Sequence, residues 1–190
     1  MSSCPAAEPS PETPVASVAA PADGAQERAP GPCQDPPWLL PPVLSRVAWI
    51  LEGHQRAFGQ PLLAGLAADL SPRQRAQELF TASRVVLAHD GGADPRLIYA
   101  NRSALVLWRR RWHEMLGLPS RLTAAPEQRA PRALALAQAL DQEALRGYSG
   151  IRVDRQGRQF RIEAARLWTL RDTAGMARGQ AASFASWWWL

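Results

Sequence analysis

The sequence predicts an α+β domain in which a five-stranded antiparallel sheet is flanked by helices, preceded by N-terminal helices and a disordered tail. Three observations carry this. After two N-terminal helical patterns, the strand stretches come as two (residues 84–89 and 96–100), then helices, then three more, an order of grouped rather than strictly alternating strands and helices. Phe160, Ile162 and Ala164 alternate with Arg161, Glu163 and Ala165, the period of an antiparallel strand with one buried face. Finally, 11 of the 17 prolines fall within residues 1–42, and no comparable run interrupts the remainder.

That N-terminal stretch is rich in Pro, Ala, Ser, Glu and Gly. It buries too little apolar surface to offset its ordering entropy, so residues 1–42 are expected to be a tail and residues 43–190 the domain. The tail carries one Arg against five acids, whereas residues 43–190 carry 21 Arg against 12 acids; the domain is therefore basic and the tail acidic. All 22 basic side chains are Arg, a bias that codon composition explains without any function. Cys4 and Cys33 both fall in the tail, so neither a disulfide framework nor a thiolate metal site belongs to the core, which suits a reducing compartment.

Within the domain, Val43, Val47, Ile50, Leu51, His54 and Phe58 form one helical stripe, ended by Gly59 and Pro61. Ser71-Pro72-Arg73-Gln74 reads as a capping box with proline at the first helical position, and Leu79 and Phe80 close that short helix toward the core. The strand at 84–89 turns through Asp90-Gly91-Gly92-Ala93-Asp94-Pro95 into the strand at 96–100. Asn101 can cap the next helix, which puts Ala104, Leu105 and Trp108 on one face and leads to Trp112, Met115 and Leu116. Residues 127–145 are expected to form a further helix, with Leu134, Ala137, Leu140 and Ala144 inward. Residues 148–154 and 158–170 make a hairpin around Asp154-Arg155-Gln156-Gly157, and residues 176–188 form the last strand. This order predicts helices on one side of the sheet.

Four segments, YANRSALVLW, LPSRLTA, YSGIRVDRQGRQFRIE and GQAASFASW, resemble in order and spacing the MEKHLA domain, over about residues 44–188. That PAS-like module occurs as a stand-alone bacterial or cyanobacterial protein and at the C-terminus of plant class III homeodomain–leucine-zipper proteins. The resemblance implies a PAS-type sheet and a sensory or interaction role, and in the plant proteins the domain is associated with control of dimerisation. It implies no particular ligand. Arg111 stands where the family pattern leads one to expect a Ser capping the short helix of Trp112.

No catalytic motif is present: there is no Ser elbow, P-loop or dinucleotide fingerprint, so the expected role is non-enzymatic. Glu163 is the most suggestive carboxylate, its alternative being an outward residue paired with an Arg. His89, beside Asp90, could titrate near neutrality or ligate haem, or simply be a strand-end structural residue. His54 sits on an apolar stripe, His113 on a polar face, and the three histidines lack metal-ligand spacing. The core contains no Cys, which excludes the cysteine adduct of light-oxygen-voltage photosensors for this domain.

The candidate pocket lies between the sheet and the helix after Asn101. Its expected lining is Tyr99, Trp108, Phe160, Ile162, Trp168 and Phe184, with polar groups from Asn101, Arg121 and Gln180; the alternative is a filled apolar core. No cofactor is required by the sequence. The small side chains of residues 179–184 suit close approach of a ligand or of another element. Trp187, Trp188 and Trp189 must alternate between faces, so either a partner, such as a second copy of the chain, covers them or they pack against the helix carrying Trp49.

The leading expectation is thus a sensory or protein-interaction module with a small-molecule ligand, a homodimer or another protein as partner. The alternatives are a haem- or flavin-binding sensor and, less favoured, a basic accessory protein on nucleic acid. The N-terminus has no basic-then-apolar secretory pattern and the longest apolar stretch, residues 38–51, is broken by Pro41, Pro42 and Arg46, so a cytoplasmic protein without a membrane span is expected.

Overall fold

The computed structural model describes residues 35–130, 133, 134, 136 and 142–190. Helix α1 runs Pro41–Phe58, with prolines at its start, where no intrahelical N–H is lost. It ends at Gly59, whose φ of 70° lets its N–H bond back to Gln55 O at 2.9 Å. Residues 35–42, which composition groups with the tail, are part of the packed unit: Trp38 stacks on Phe80 with ring centroids 3.8 Å apart, and Leu39 is buried. Helix α2, Pro72–Thr81, starts with the expected capping box, Ser71 and Gln74 each bonding the other's backbone N–H.

Strands β1 (Val85–His89) and β2 (Leu97–Ala100) pair antiparallel around the Asp90–Pro95 turn, where Asp90 Oδ1 accepts from the N–H of Gly92 and of Arg96. Helix α3, Arg102–Trp108, follows its Asn101 cap, and helix α4, Trp112–Met115, begins at Arg111. No side chain of Arg111 caps that helix; instead Glu114 Oε2 takes the Arg111 backbone N–H at 2.8 Å. The remaining strands are β3 (Ala144–Val153), β4 (Gln159–Arg171), β5 (Ala177–Phe184) and β6 (Ser186–Trp189). Of the expected helix at 127–145, residues 129, 130, 133, 134 and 136 are helical, while 131, 132, 135 and 137–141, Ala137 and Leu140 included, lie outside the described residues. At its ends it is corrected: Glu127 belongs to the 3-10 turn Pro126–Gln128, and Ala144 and Leu145 already belong to β3. Leu134, expected inward, is exposed.

The sheet is ordered β2-β1-β5-β4-β3, all neighbours antiparallel, with β6 also paired to β4. The expected last strand is thus divided. β5 pairs the C-terminal half of β4, from Arg166↔Ser183 to Leu170↔Gly179, and β6 pairs its N-terminal half, from Phe160↔Trp189 to Glu163↔Ser186, in the same register. Between the halves Ala164 adopts a left-handed φ of 51°. This irregularity reverses which side chains of β4 point inward. Phe160 and Ile162 face one side as expected, but Ala165, not Ala164, joins them, and Trp168 points to the opposite face.

Helices cover both faces rather than one. On the first, α1 and α2 bring Val47, Ile50 and Leu79 onto Val86, Ala88, Tyr99, Trp168 and Leu170. On the second, α3 brings Ala104, Leu107 and Trp108 onto Val85, Leu87, Phe160, Ile162, Ala165 and Phe184. Helix α4, at the β2 end, gives Met115 to the second cluster and Trp112 to the margin of the first. All five residues of β1 are buried, as a strand packed on both sides requires. The small residue at Gly179 lets β5 close on β1: its φ is 133°, and a Cβ there would lie 1.9 Å from His89 O.

Candidate functional site

The second face holds a cavity of about 40 Å³ between the sheet and α3. A cavity admits one water at roughly 10–15 Å³ on this measure, so there is room for a few heavy atoms. Its apolar walls include Leu87, Leu97, Trp108, Ile162, Leu167 and Phe184, and its polar groups come from His89, Thr123, Tyr148 and Arg152. Leu136 also lines it.

Of the residues expected at a pocket, Trp108, Ile162 and Phe184 line this cavity, and Phe160 stands against Trp108 with ring centroids 5.1 Å apart and planes at 77°. Gln180 lies on the same face as His89, its cross-strand partner, and donates to Leu136 O at 2.9 Å. Tyr99 and Trp168 do not reach the cavity. Tyr99 faces with its partner Ala88 toward α1, where burial pushes its hydroxyl pKa up, and Trp168 is turned there by the reversal at Ala164, donating to Ile50 O at 3.1 Å. Arg121 is on the surface, bonded to Asp94 at 3.0 Å.

Asn101 is fully engaged as a structural hub. Its Oδ1 accepts from the N–H of Val86 and of Ala104, at 3.0 and 3.1 Å, and its amide donates to the carbonyls of Leu79, Ala82 and Arg84. It therefore ties the end of α2 and the start of α3 to β1 and has no polar atom to spare for a ligand. Sequence reasoning missed Tyr148 and Arg152. The available signal was their spacing: Tyr148, Gly150 and Arg152 sit at alternate positions of β3 opposite Ala165, Ile162 and Phe160, and so share the inward face.

The histidines have distinct settings. His89 Nδ1 lies 2.6 Å from Asp90 O, at the cavity end of β1. His54 is buried under Trp168 and Phe58, with Nδ1 on Gln60 O at 2.9 Å and Nε2 3.2 Å from Arg166 Nη1. Burial, aided by the charges of Arg166, Arg84 and Arg146, outweighs the Gln60 bond and lowers its pKa to about 4, so the ring is neutral, with Nδ1 as donor and Nε2 as acceptor. His113 is exposed. Glu163 bonds Arg161 at 3.4 Å on the surface. Among the described residues no three His, Cys, Asp or Glu side chains stand together as a metal site would require.

A second feature adjoins the cavity. Strand β6 pairs with β4 along one edge, and among the described residues no strand pairs with its other edge. Trp187, Trp188, Trp189 and Leu190 are all exposed there, with Trp188 at 44%. Trp187 and Trp189 lean on Phe160, at 6.1 and 5.4 Å, rather than on Trp49, which belongs to the α1 cluster. Arg158 lies over Trp189 at 4.1 Å. A groove beside this edge is lined by Val106, Trp187, Trp189, Arg102, Arg109 and Arg158.

Comparison with known proteins agrees with this architecture. The PAS domain of a protein from Colwellia psychrerythraea superposes with a TM-score of 0.53 at 15% identity, over 58% of this chain and 92% of that one. An RNA-binding light-oxygen-voltage receptor superposes with a TM-score of 0.54 at 21% identity, over 66% of this chain; this chain spans about a third, 35%, of that receptor. No curated protein matches the chain significantly. Among the described residues no helix is long and apolar enough to cross a membrane. The MEKHLA domain family model matches residues 44–189, nearly the whole described unit, and the PAS-like sheet and its helices agree with it, so this chain belongs to the MEKHLA domain family.

Proposed function

We propose that the protein is a non-enzymatic sensory module in which a small ligand in the cavity under α3 controls self-association through the open β6 edge. One observation carries the reading: Phe160 touches both features. Its ring meets Trp108, a cavity wall, at 5.1 Å and Trp189, on the open edge, at 5.4 Å. Packed aromatic contacts transmit a shift of one ring to the next, because a dense core rearranges between discrete packings. An exposed aromatic row beside an unpaired strand edge favours a protein contact, by strand pairing across a dimer axis. In this reading residues 35–190 are the working unit, the Pro/Ala-rich stretch before them is an appended tail, and the cysteine-free core suits the cytoplasm.

Light scattering at two well-separated concentrations tests the partner. Self-association is expected, weakened roughly tenfold or more by Trp187→Ser combined with Trp189→Ser; a monomer at all concentrations overturns it. The visible absorption spectrum of protein purified without added cofactor tests the ligand. A cavity of about 40 Å³ is far below the roughly 300–1,000 Å³ of cofactor-sized sites, so a colourless protein is expected. Stoichiometric haem or flavin absorption would replace this reading with a chromophore sensor.

A further inference from the structure

We infer that the cavity is built for a small monocarboxylate, with its anion held by Arg152 and Tyr148 and its short carbon tail against the apolar walls. The inference rests on the reading of the cavity as a ligand site and adds the chemical class. Arg152 is the arginine buried most deeply among the described residues, at 5% exposure, and it lines the cavity. Among the described residues its guanidinium bonds only neutral groups: Nη1 donates to Ile151 O and Nη2 to Tyr148 Oη, both at 2.9 Å. No carboxylate lies in ion-pair range of it among the described residues, whereas each ion pair found there uses an arginine at least 31% exposed at its side chain.

The nearest inward carboxylate along β3 is already committed. Asp154 accepts from the N–H of Gln156 and Arg158 and from Arg158 Nε at 2.9 Å, and so closes the β3–β4 turn. A cation removed from water without a counter-charge is costly, and the cost is met when an anion arrives. Arg152 retains N–H donors beyond its two bonds, and Tyr148, by accepting from Arg152, keeps its own O–H to donate. The two side chains meet above Gly150, where a Cβ would stand 2.9 Å from Tyr148 Oη and 3.1 Å from Arg152 Nη1. Glycine there clears the space between strand and polar groups. Leu97, Ile162 and Phe184 also line the cavity and suit a hydrocarbon tail, and the volume limits the tail to a few carbons.

The test compares propionate and butyrate with the matching amides, propionamide and butyramide, by calorimetric titration and thermal melting of the full chain at constant ionic strength. The acids are expected to bind roughly tenfold or more tightly than the amides, since the amide loses the charge-assisted bonds. Arg152→Gln should abolish the preference while melting cooperatively, and Ala182→Leu, which fills the cavity, should abolish binding of both. Acid and amide binding alike, both blocked by Ala182→Leu, would overturn the anion inference and leave the cavity as a ligand site. Acid binding that survives both substitutions would place the anion elsewhere and overturn the inference. No binding of either would overturn it together with the reading of the cavity.

Discussion

The two faces of the sheet are built from the same strands and differ in how they are filled. The face under α1 and α2 packs Trp168 against His54 and Phe58, Tyr99 against Trp112, and Trp38 against Phe80, ring against ring. Gly53 of α1 shows how close this contact is: a Cβ there would lie 2.9 Å from Trp168 Cδ1. The face under α3 is also largely apolar but holds a cavity and a buried guanidinium without a counter-charge among the described residues. The ring-on-ring packing reads as the anchor of the fold, whereas the second face leaves a space beside one charged group.

The largest expected effect tests that anchor. Trp168→Ala should cost about 3–5 kcal/mol of unfolding free energy by chemical denaturation, because it opens a large void under α1 and removes the bond to Ile50 O. A loss below about 1 kcal/mol would remove the contrast between the faces. Asn101→Ala should cost about 2–4 kcal/mol, since it strands the N–H groups of Val86 and Ala104 and three carbonyls at a buried junction shared by both faces.

Next in size is a pH effect confined to the filled face. His54 has a native pKa of about 4 against 6.5 for the free side chain. Below pH 6.5 the unfolded chain takes up a proton that the native ring refuses, so stability is full above pH 6.5 and falls as pH drops toward 4, by at most about 1.4 kcal/mol per pH unit. His54→Phe should flatten denaturation midpoints across that window; an unchanged slope would assign the acid loss to other groups. The smallest effect belongs to the second face. Arg152→Met should change stability by less than about 1 kcal/mol, or raise it, because removing an uncompensated buried cation relieves its desolvation. A loss of several kcal/mol would make Arg152 a structural member of the core.

Local chemistry was legible wherever it is short-range. The Ser71–Gln74 box, the Gly59 stop, the Asn101 cap and the Asp90 turn form as read, because each depends on side-chain atoms reaching backbone groups a few residues away. The pocket was half legible. Trp108, Ile162 and Phe184 follow from strand and helix periodicity, whereas Trp168 was misplaced because counting by twos along β4 fails at Ala164. Nothing about an alanine announces a left-handed residue; the conformation is imposed by the pairing of β4 with β5 and β6. Arg152 was hidden in another way, since one arginine among 22 looks like a surface residue until its strand partners are known.

The sequence by itself determined the element types, the helix caps, the turns and the membership of a PAS-like family, for these rest on residue chemistry repeated at short spacing. Tertiary structure alone decided that helices cover both faces, that the last strand divides at Ala185 to leave a tryptophan edge, and that Arg152 and Tyr148 share a cavity. Those outcomes depend on strand order and on one reversal of inward parity, which bring together residues far apart in the chain. Propensity and spacing carry no term for such contacts.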